Sequence, residues 1–379
     1  MDEERKIKFE LAEVENEVEQ ETDVVLKIFG VGGCGCNIIN DMKEIGLGIS
    51  KIELVAVNTD KKALNKIQAD DKIQIGRSLT KGNGSGNNPQ VGEKAAEEDR
   101  EIIEQKIKNT DILILTAGLG GGTGSGASPV IADIAKNLDS TIIGVLITPF
   151  EDEMSDKKRK IVEEAMAKLR EKVNAWVVIS NEKLNEIFAA DEPIESGYKA
   201  INKNIIEQIR GIIRMIVETG EQNVDFADIR TILRQQGNKF IGIGRGSGAD
   251  RGKKALDNAI NNPFFENIDY NGATDIIINF VGNITLQDRK EVVQSIKKLT
   301  GDNASVKWGM VKDESMGDDI EVTILISGIK EKSVVENTEA ETKRIQDIQM
   351  HIIDNDYDSP ILDLPAYKRI KFISEKTRN

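Results

Sequence analysis

Glycines are concentrated in two short stretches of the chain. "GLGGGTGSG" (118–126) follows the apolar run "DILILTA" and precedes a helix-like segment, and "GVGGCGCN" (30–37) ends an earlier β-branched run. Glycines let backbone N–H groups crowd around an anion, and the N-terminus of a following helix adds the positive end of its dipole. The pattern predicts a phosphate-binding site, although a glycine-rich turn without a ligand would have the same composition.

The earlier stretch leaves two kinds of nucleotide open. Gly30, Gly32 and Gly35 fit the dinucleotide spacing G-x-G-x-x-G. Glu53 follows as an acid for a ribose, so an NAD-dependent dehydrogenase is one interpretation. However, a further glycine loop, "KGNGSGNNP" (81–89), favours a mononucleotide triphosphate held by several loops at one sheet edge. The P-loop sequence G-x-x-x-x-G-K-[ST] does not occur.

Side chains that could orient water occur in "GEQNVDFAD". Asp225 and Asp228 are three residues apart and would share a face of a helix beginning here, with Asn223 just before them. A serine–histidine pair is excluded because the single histidine, His351, lies in a polar segment far along the chain. From the residues alone, Asn223 or Asp225 is also explained as a helix N-cap followed by a first-turn acid.

Six β-branched runs alternate with helical segments before residue 198. This alternation is typical of β-α units around a buried parallel sheet, which binds ligands at the carboxyl ends of its strands. We therefore predict an α/β fold, a parallel-sheet nucleotide-binding domain. The runs are "VVLKIFG", "KIELVAV", "KIQIG", "DILILTA", "STIIGVLI" and "AWVVIS".

A long helix is predicted to connect this domain to a smaller α/β domain. "YKAINKNIIEQIRGIIRMIVETG" has apolar residues at three- and four-residue spacing and a terminal glycine. Four strand candidates with fewer helices follow: "FIGIG", "ATDIIINFVG", "ASVKWGMV" and "DIEVTILISG". The predicted divisions are a charged extension (1–24), a nucleotide-binding domain (25–197), a central helix (198–220), a C-terminal domain (221–330), a flexible linker (331–359) and a docking peptide (360–379).

Composition limits the function classes. The formal net charge of −14 argues against a broad nucleic-acid-binding surface. No apolar run approaches the roughly 18 residues of a membrane span, and the polar start lacks a signal-peptide core, so we expect a soluble, cytoplasmic protein. Cys34 and Cys36 allow no disulfide framework and no zinc site. They are interpreted as small residues in a tight loop, with a thiol activated by the helix N-terminus as the alternative.

Several ordered motifs resemble the FtsZ branch of the tubulin/FtsZ family of GTPases. "GGGTGSG" (120–126) is similar to the signature loop of that family, and "LVAVNTDKKAL", "GNGSGNNPQVGEKAAEE", "NVDFADIRTIL" and "DESMGDDIEVTILISG" match in order along residues 26–328. The tail "LDLPAYKR" resembles the family's C-terminal docking peptide. This resemblance implies a GTPase that assembles head to tail into filaments of the cell-division ring at midcell. A non-hydrolysing tubulin-like scaffold and a plasmid-partitioning relative are the alternatives within the family.

The resemblance also implies roles for individual residues. Asn223, Asp225 and Asp228 would enter the neighbouring subunit's pocket and orient water, with Mg²⁺ offsetting charge. "NTD" (58–60) and "GSGNNP" (84–89) would close the γ-phosphate side. No protein metal ligand is assigned. The residues that would hold GTP or GDP are Gly32, Gly33, Gly35, Asn37, Gly120, Gly121, Gly122, Thr123, Gly124, Ser125, Glu153, Arg159, Asn181, Tyr198 and Asn202.

One part of the chain departs from the family pattern. Where the family usually shows "PFxFEGxxR", this chain has "PFEDEMSDKKRK". The ribose-contacting glutamate is therefore Glu153 or Glu151, and the arginine is Arg159 or is replaced by a lysine.

The tail is expected to dock on membrane-tethering and regulatory division proteins, so the protein itself needs no membrane span.

Overall fold

The computed structural model describes most of the chain outside its two ends. The described residues are 24–47, 52–183, 194–217, 224–235, 238–261 and 268–331. Three predicted segments fall outside them, namely the N-terminal extension up to residue 23, the linker from residue 332, and the docking peptide. The chain divides into two compact units. Among the described residues, the second unit holds only Ile268, Asp269 and Glu331, and all other strand residues of the two sheets lie in the first.

The first sheet is built from the six runs that the sequence predicts to be strands. They are β1 (Leu26–Val31), β2 (Ile52–Asn58), β3 (Asp71–Gln74), β4 (Ile112–Gly118), β5 (Thr141–Thr148) and β6 (Ala175–Ser180). All neighbouring strands pair in parallel, in the order β3-β2-β1-β4-β5-β6. The prediction of a parallel-sheet α/β domain is thus confirmed.

Helices cover both faces of this sheet. They are α1 (Gly32–Ile45), α2 (Lys61–Lys66), α3 (Arg77–Thr80), α4 (Pro89–Glu98), α5 (Arg100–Ile107), α6 (Thr123–Asn137) and α7 (Asp156–Arg170). Short 3-10 helices occupy Glu151–Glu153 and Asn181–Lys183. On one face, side chains of α4 to α7 pack against alternate strand residues such as Phe29 and Leu113. The opposite residues, such as Ile28 and Ile112, pack with α1 in a second core. Strands buried on both faces explain the continuous apolar runs in the sequence.

The central helix, α8 (Ile194–Val217), begins four residues before the predicted start at Tyr198. Its first turn, "IESG", contains Ile194, four residues before Tyr198, and the predicted start left out this helical spacing. The predicted glycine stop at Gly220 lies outside the described residues. The helix contacts both α1 and the second sheet, and its isoleucines belong to the same core cluster as Ile28, Ile241 and Leu325. It therefore connects the two sheets by apolar packing.

The second sheet is smaller and mixed. It uses β7 (Asn238–Gly246), β9 (Asp275–Gly282), β10 (Ser305–Val311) and β11 (Ile320–Glu331), in the order β10-β9-β11-β7. β9 and β10 are parallel, whereas β11 is antiparallel to both of its neighbours. The remaining elements are α9 (Phe226–Arg234), α10 (Arg251–Ile260), a two-residue strand β8 (Ile268–Asp269), α11 (Leu286–Thr300) and a 3-10 helix (Glu314–Met316). The four predicted strands are all present. The exact domain boundaries stay predictions.

Candidate functional site

A cavity of about 570 Å³ lies at the carboxyl ends of the first sheet's strands. Gly118 at the end of β4 and Thr148 at the end of β5 line it, as does Gly33 just after β1. The sequence predicts a ligand site at this edge. The lining residues are Gly33, Cys34, Asn58, Thr59, Asp60, Ala63, Asn83, Gly84, Ser85, Gly86, Asn87, Gly118, Leu119, Gly120, Gly121, Gly122, Thr123, Gly124, Ile147, Thr148, Pro149, Glu153, Lys158 and Asn181.

The glycines of this region serve two different purposes. A Cβ on Gly124 would lie 2.2 Å from the carbonyl oxygen of Gly118, and a Cβ on Gly35 would lie 2.5 Å from that of Thr116. These glycines are therefore required by backbone packing. Gly33 and Gly121 have nothing within 4 Å of the position of a Cβ. The bare backbone at these two positions faces the cavity and leaves room for a ligand.

Thr123, the first residue of α6, organises the hydroxyl groups of the cavity. Its Oγ1 lies 2.7 Å from Thr59 Oγ1 and 3.0 Å from Ser85 Oγ, so three segments meet at one point. Ser125 does not line the cavity. Its Oγ accepts a hydrogen bond of 2.9 Å from the backbone N–H of Gly120, which closes the glycine loop. The N-terminus of α6 thus opens into the cavity, where backbone N–H groups and the helix dipole favour an anion.

The charged side chains of the cavity are two carboxylates and one ammonium group. Asp60 and Glu153 supply the carboxylates, and Lys158 supplies the ammonium group, which lies 2.9 Å from Glu153 Oε2. Arg159 does not line the cavity, because it points to Glu151 at 3.0 Å. The sequence left open Glu151 or Glu153 as the glutamate, and Arg159 or a lysine as the cation. The structure brings Glu153 and Lys158 to the cavity. Ser155 caps α7, so Lys158 lies in the first turn of that helix.

A second cavity of about 470 Å³ adjoins α1 one turn further along. Three predicted base-binding residues meet here, Asn37, Tyr198 and Asn202, and Asp41 lies beside them. The Tyr198 ring is 38% exposed and is held by an edge-on contact with Phe150 at a centroid distance of 6.1 Å. The remaining lining residues are Asn40, Lys66, Ile67 and Lys199.

The chemistry of Tyr198 links the two cavities. Burial raises the pKa of its hydroxyl, and the nearby charge of Glu153 raises it further. Glu153, a residue of the larger cavity, is thus close enough to influence Tyr198, a residue of the smaller one. Asn202, one helical turn away, donates from Nδ2 to Asp41 Oδ2 at 2.7 Å.

The two cysteines are adjacent to the glycine loop but are not activated. Burial raises the pKa of each thiol to about 12, so both are protonated at neutral pH. Cys36 is buried beneath β1, and Cys34 lines the larger cavity. A Cβ on Gly118 would lie 2.6 Å from Cys34 Cβ, so there is little space around this side chain. Their environment fits small loop-filling residues, and a raised pKa opposes thiolate chemistry.

The predicted catalytic acids begin α9. Asp225 is the N-cap, and its Oδ1 accepts the N–H of Ala227 at 3.0 Å. Asp228, in the first turn, forms an ion pair of 2.7 Å with Lys307 on β10. Asn223 lies outside the described residues. Neither acid lines the larger cavity of its own chain.

Contacts at the other end of α9 show on which side of the sheet this helix lies. Arg234 contacts the backbone oxygen of Asp139 and the hydroxyl of Thr141, which begins β5. The cavity lies at the other end of β5, at Thr148. Eight residues of strand span about 23 Å between these ends. The helix that carries the two acids is therefore attached at the amino-terminal end of β5, and the cavity lies at the carboxyl end of the same strand.

The structure brings most of the predicted binding residues to the two cavities and adds others. Gly32, Gly35 and Ser125 support the loops from behind instead of lining a cavity. The sequence analysis allowed a lysine in place of the family's arginine but did not identify it as Lys158. Asp41 was missed, and its position one helical turn after Asn37 on α1 was the available signal.

Within the described ranges, no cluster of three or more His, Cys, Asp or Glu residues could hold a metal ion. No described helix is long and apolar enough to cross a bilayer.

Comparisons with known proteins agree with this geometry. Residues 25–189 match the GTPase domain of the Tubulin/FtsZ family, and residues 237–330 match the C-terminal domain of the FtsZ family. The cell division protein FtsZ of Azotobacter vinelandii is 38% identical over 321 residues, covering 83% of this chain and 81% of the relative. That of Buchnera aphidicola is 34% identical, covering 97% and 93%.

A solved structure supports the same conclusion. The empty FtsZ dimer of M. jannaschii is 34% identical and superimposes with a TM-score of 0.73, covering 83% of this chain and 94% of that one. Because identity above 30% extends over most of both chains, the likeness covers both sheets and the helix between them. The chain belongs to the FtsZ family of tubulin-like cell-division GTPases, and guanine nucleotide is its substrate.

Proposed function

We propose that the two cavities together hold one GTP molecule. The base would stack on Tyr198 in the smaller cavity, with amides of Asn37 and Asn202 at its edge. The phosphates would lie in the larger cavity against Gly33, Gly121 and the start of α6. The open backbone at these two glycines supports this placement, because neither packing nor backbone conformation requires glycine there.

Mg²⁺ fits the charges of the larger cavity. A triphosphate would enter a space lined by two carboxylates and a single described cation, Lys158, which is already engaged with Glu153. Asp60 and the hydroxyls around Thr123 are hard oxygen donors, and Mg²⁺ commonly binds through phosphate with few protein ligands. When bound, the ion would neutralise charge that develops on the transferred phosphoryl group. Lys158 would exchange its contact with Glu153 for the nucleotide.

The acids of one subunit are proposed to act on the nucleotide of the next. The single observation that supports this is the placement of α9 at the start of β5 while the cavity lies at its end. Asp225 and Asp228 are then too far away to orient a water molecule for their own subunit's nucleotide. Head-to-tail contact would place them at the neighbour's γ-phosphate, with Asn223 as the third member of the group.

Such a contact joins two different surfaces and does not close on itself. Heterologous contacts of this kind propagate into a filament. The M. jannaschii relative is described as a dimer, and self-association of this chain would follow the same family pattern. Hydrolysis would then be coupled to assembly, because each complete site needs two subunits. A scaffold without turnover is the less favoured alternative, because Asp225 and Asp228 are both present beside the surface that would meet the neighbour.

The cellular role follows from the family. We place the filament in the cytoplasm at the division site. The tail "LDLPAYKR" would dock on membrane-tethering and regulatory division proteins through its apolar, aromatic and basic side chains. Deleting residues 360–379 is expected to leave GTP-dependent sedimentation intact and to abolish recruitment by such a partner to vesicles. Loss of GTP binding on deletion would contradict this role.

A mixing experiment tests the shared site. Asp228→Asn retains a pocket but lacks an acid, whereas Gly121→Asp places a carboxylate among the phosphates and keeps the acids. Each variant alone should hydrolyse GTP at least a hundred-fold more slowly than wild type, since positioning groups commonly contribute two to four decades. Mixed filaments should recover part of the rate, because some interfaces pair a good pocket with good acids.

Controls make the mixing result decisive. Asp302→Asn removes an exposed carboxylate close to β10 and should hydrolyse GTP at the wild-type rate. Sedimentation must show that both disabled variants enter the same filaments. Unassembled, dilute wild-type protein that turns over GTP at the filament rate per subunit would refute catalysis between subunits. The same conclusion would follow if co-sedimenting variants recovered no activity.

A further inference from the structure

We propose that Asp41 determines the preference for guanine by fixing the orientation of the Asn202 side-chain amide. The inference rests on the proposed placement of the base in the smaller cavity. Asp41 is a positioning residue in this proposal, because it acts on the base only through Asn202. It lies on α1 and Asn202 lies on α8, so the pair also joins two elements across the cavity.

The hydrogen bond between these side chains allows only one orientation of the amide. A carboxylate accepts hydrogen bonds and donates none, so the atom of Asn202 that faces Asp41 must be its NH₂ group. That contact is 2.7 Å long. The carbonyl oxygen of the amide then lies on the opposite side of its carbon atom and has no hydrogen-bond partner in the described part of the chain. The cavity is thereby given an acceptor at this position.

An acceptor at the base edge distinguishes the two purines. Guanine carries a donor at N1, whereas adenine carries an acceptor there. A fixed carbonyl oxygen therefore binds guanine and opposes the N1 lone pair of adenine. An unconstrained asparagine can rotate its amide by half a turn and present a donor instead. The carboxylate of Asp41 removes this freedom, and discrimination arises because the wrong base leaves polar groups unpaired.

The surroundings of the pair are consistent with a binding role. Both side chains are partly exposed and line the cavity instead of being sealed in the core. Tyr198 lies one helical turn before Asn202, and its partly exposed ring provides a surface on which a base would stack. The neighbouring residue Asn40 is fully engaged elsewhere, with Glu44 and the backbone of Gln68. Asp41 is thus the residue of this turn that contacts Asn202.

The test measures competition by GTP, ITP and ATP against a fluorescent guanine nucleotide bound to the full chain. Inosine has the N1 donor and O6 of guanine but lacks the 2-amino group. In Asp41→Ala the Asn202 amide can turn either way, so affinity for GTP and ITP should fall in parallel by only about two-fold. ATP affinity should rise by about ten-fold, because the turned amide can donate to N1 of adenine, and the GTP-to-ATP preference should fall accordingly.

Two further variants show whether Asp41 acts through the amide. Glu44→Gln removes a carboxylate one turn along the same helix, outside both cavities, and should leave the preference unchanged. In the Asn202→Ala background, Asp41→Ala should reduce the preference little further. The proposal is overturned if ITP affinity is unaffected while GTP affinity falls, if all three nucleotides weaken equally, or if the two substitutions are additive. A wild-type protein without preference for GTP would instead refute the proposed nucleotide placement.

Discussion

Gly121→Ala separates ligand binding from folding. Nothing lies within 4 Å of the Cβ that this substitution adds, and the backbone of Gly121 is not in the left-handed region. A methyl group is therefore accommodated by the empty chain. It would, however, occupy cavity space where a phosphate oxygen approaches the backbone N–H. We expect folding to be preserved and nucleotide affinity to be reduced.

The size of both effects can be worked out from the structure. Replacing glycine by alanine at a compatible backbone position stabilises a protein by about 0.4–1 kcal/mol, because the unfolded chain loses freedom. Losing one hydrogen bond to a charged phosphate costs about 1.5–3 kcal/mol, or roughly a ten- to hundred-fold increase in Kd. The melting temperature without nucleotide should thus be unchanged or slightly higher, while the stabilisation by added GTP should shrink.

Thermal unfolding with and without GTP, together with equilibrium nucleotide binding, measures the two effects separately. Gly144→Ala is the matched control, because its Cβ would make only ordinary contacts of 3.7 Å inside β5, away from the cavity. It should bind GTP normally. Gly126→Ala, whose Cβ would lie 2.0 Å from Pro89 O, should instead destabilise the fold. Wild-type GTP affinity in Gly121→Ala, or its failure to fold, would refute the assignment of this glycine to the phosphates.

Three further predictions concern charged and titratable groups. Lys158→Met should weaken GTP more than GMP in competition binding, because the cavity loses its ammonium group while the base site is unchanged. Alkylation of Cys34 and Cys36 at pH 8 should be much slower in the folded than in the unfolded protein, because burial raises the pKa of each thiol to about 12. Burial alone would raise the pKa of Asp288, but the contact with Arg251 holds this pKa below its ordinary value. The ionised carboxylate therefore stabilises the fold at every pH above the ordinary pKa of an aspartate. This stabilisation is lost as the pH falls through the lowered pKa of Asp288. Urea unfolding of Arg251→Met should therefore show a deficit of about 3–5 kcal/mol at pH 7 that diminishes towards pH 3.

The sequence was sufficient to predict the first sheet and the edge of that sheet at which the larger cavity lies. Strands buried on both faces are continuous β-branched runs, and each of the six produced a strand. The glycine loops follow β1 and β4, which are neighbours, so both had to open at one edge. The start of the central helix was less accurate: Ile194 stands four residues before Tyr198, a helical spacing that the predicted start at Tyr198 left out.

Side-chain partners across the fold could not be predicted from the sequence. Glu151 and Glu153 differ by only two positions, and the 3-10 helix that turns one to Arg159 and the other to Lys158 leaves no clear sequence signal. The pairing of Asp41 with Asn202 joins residues far apart in the chain, through the packing of α1 on α8. These contacts depend on helix placement, and local propensities do not specify it.

The distribution of charge explains why hydrolysis should depend on both assembly and cations. The larger cavity, where we propose that the phosphates bind, already contains the carboxylates of Asp60 and Glu153. A neighbour would add Asp225 and Asp228 beside a triphosphate. At short range these like charges repel strongly. Lys307 lies 2.7 Å from Asp228 and would accompany it to the interface, where it offsets one of the added charges. The remaining excess would have to be neutralised by a bound cation, so removal of Mg²⁺ should weaken GTP-dependent contact between subunits as well as turnover.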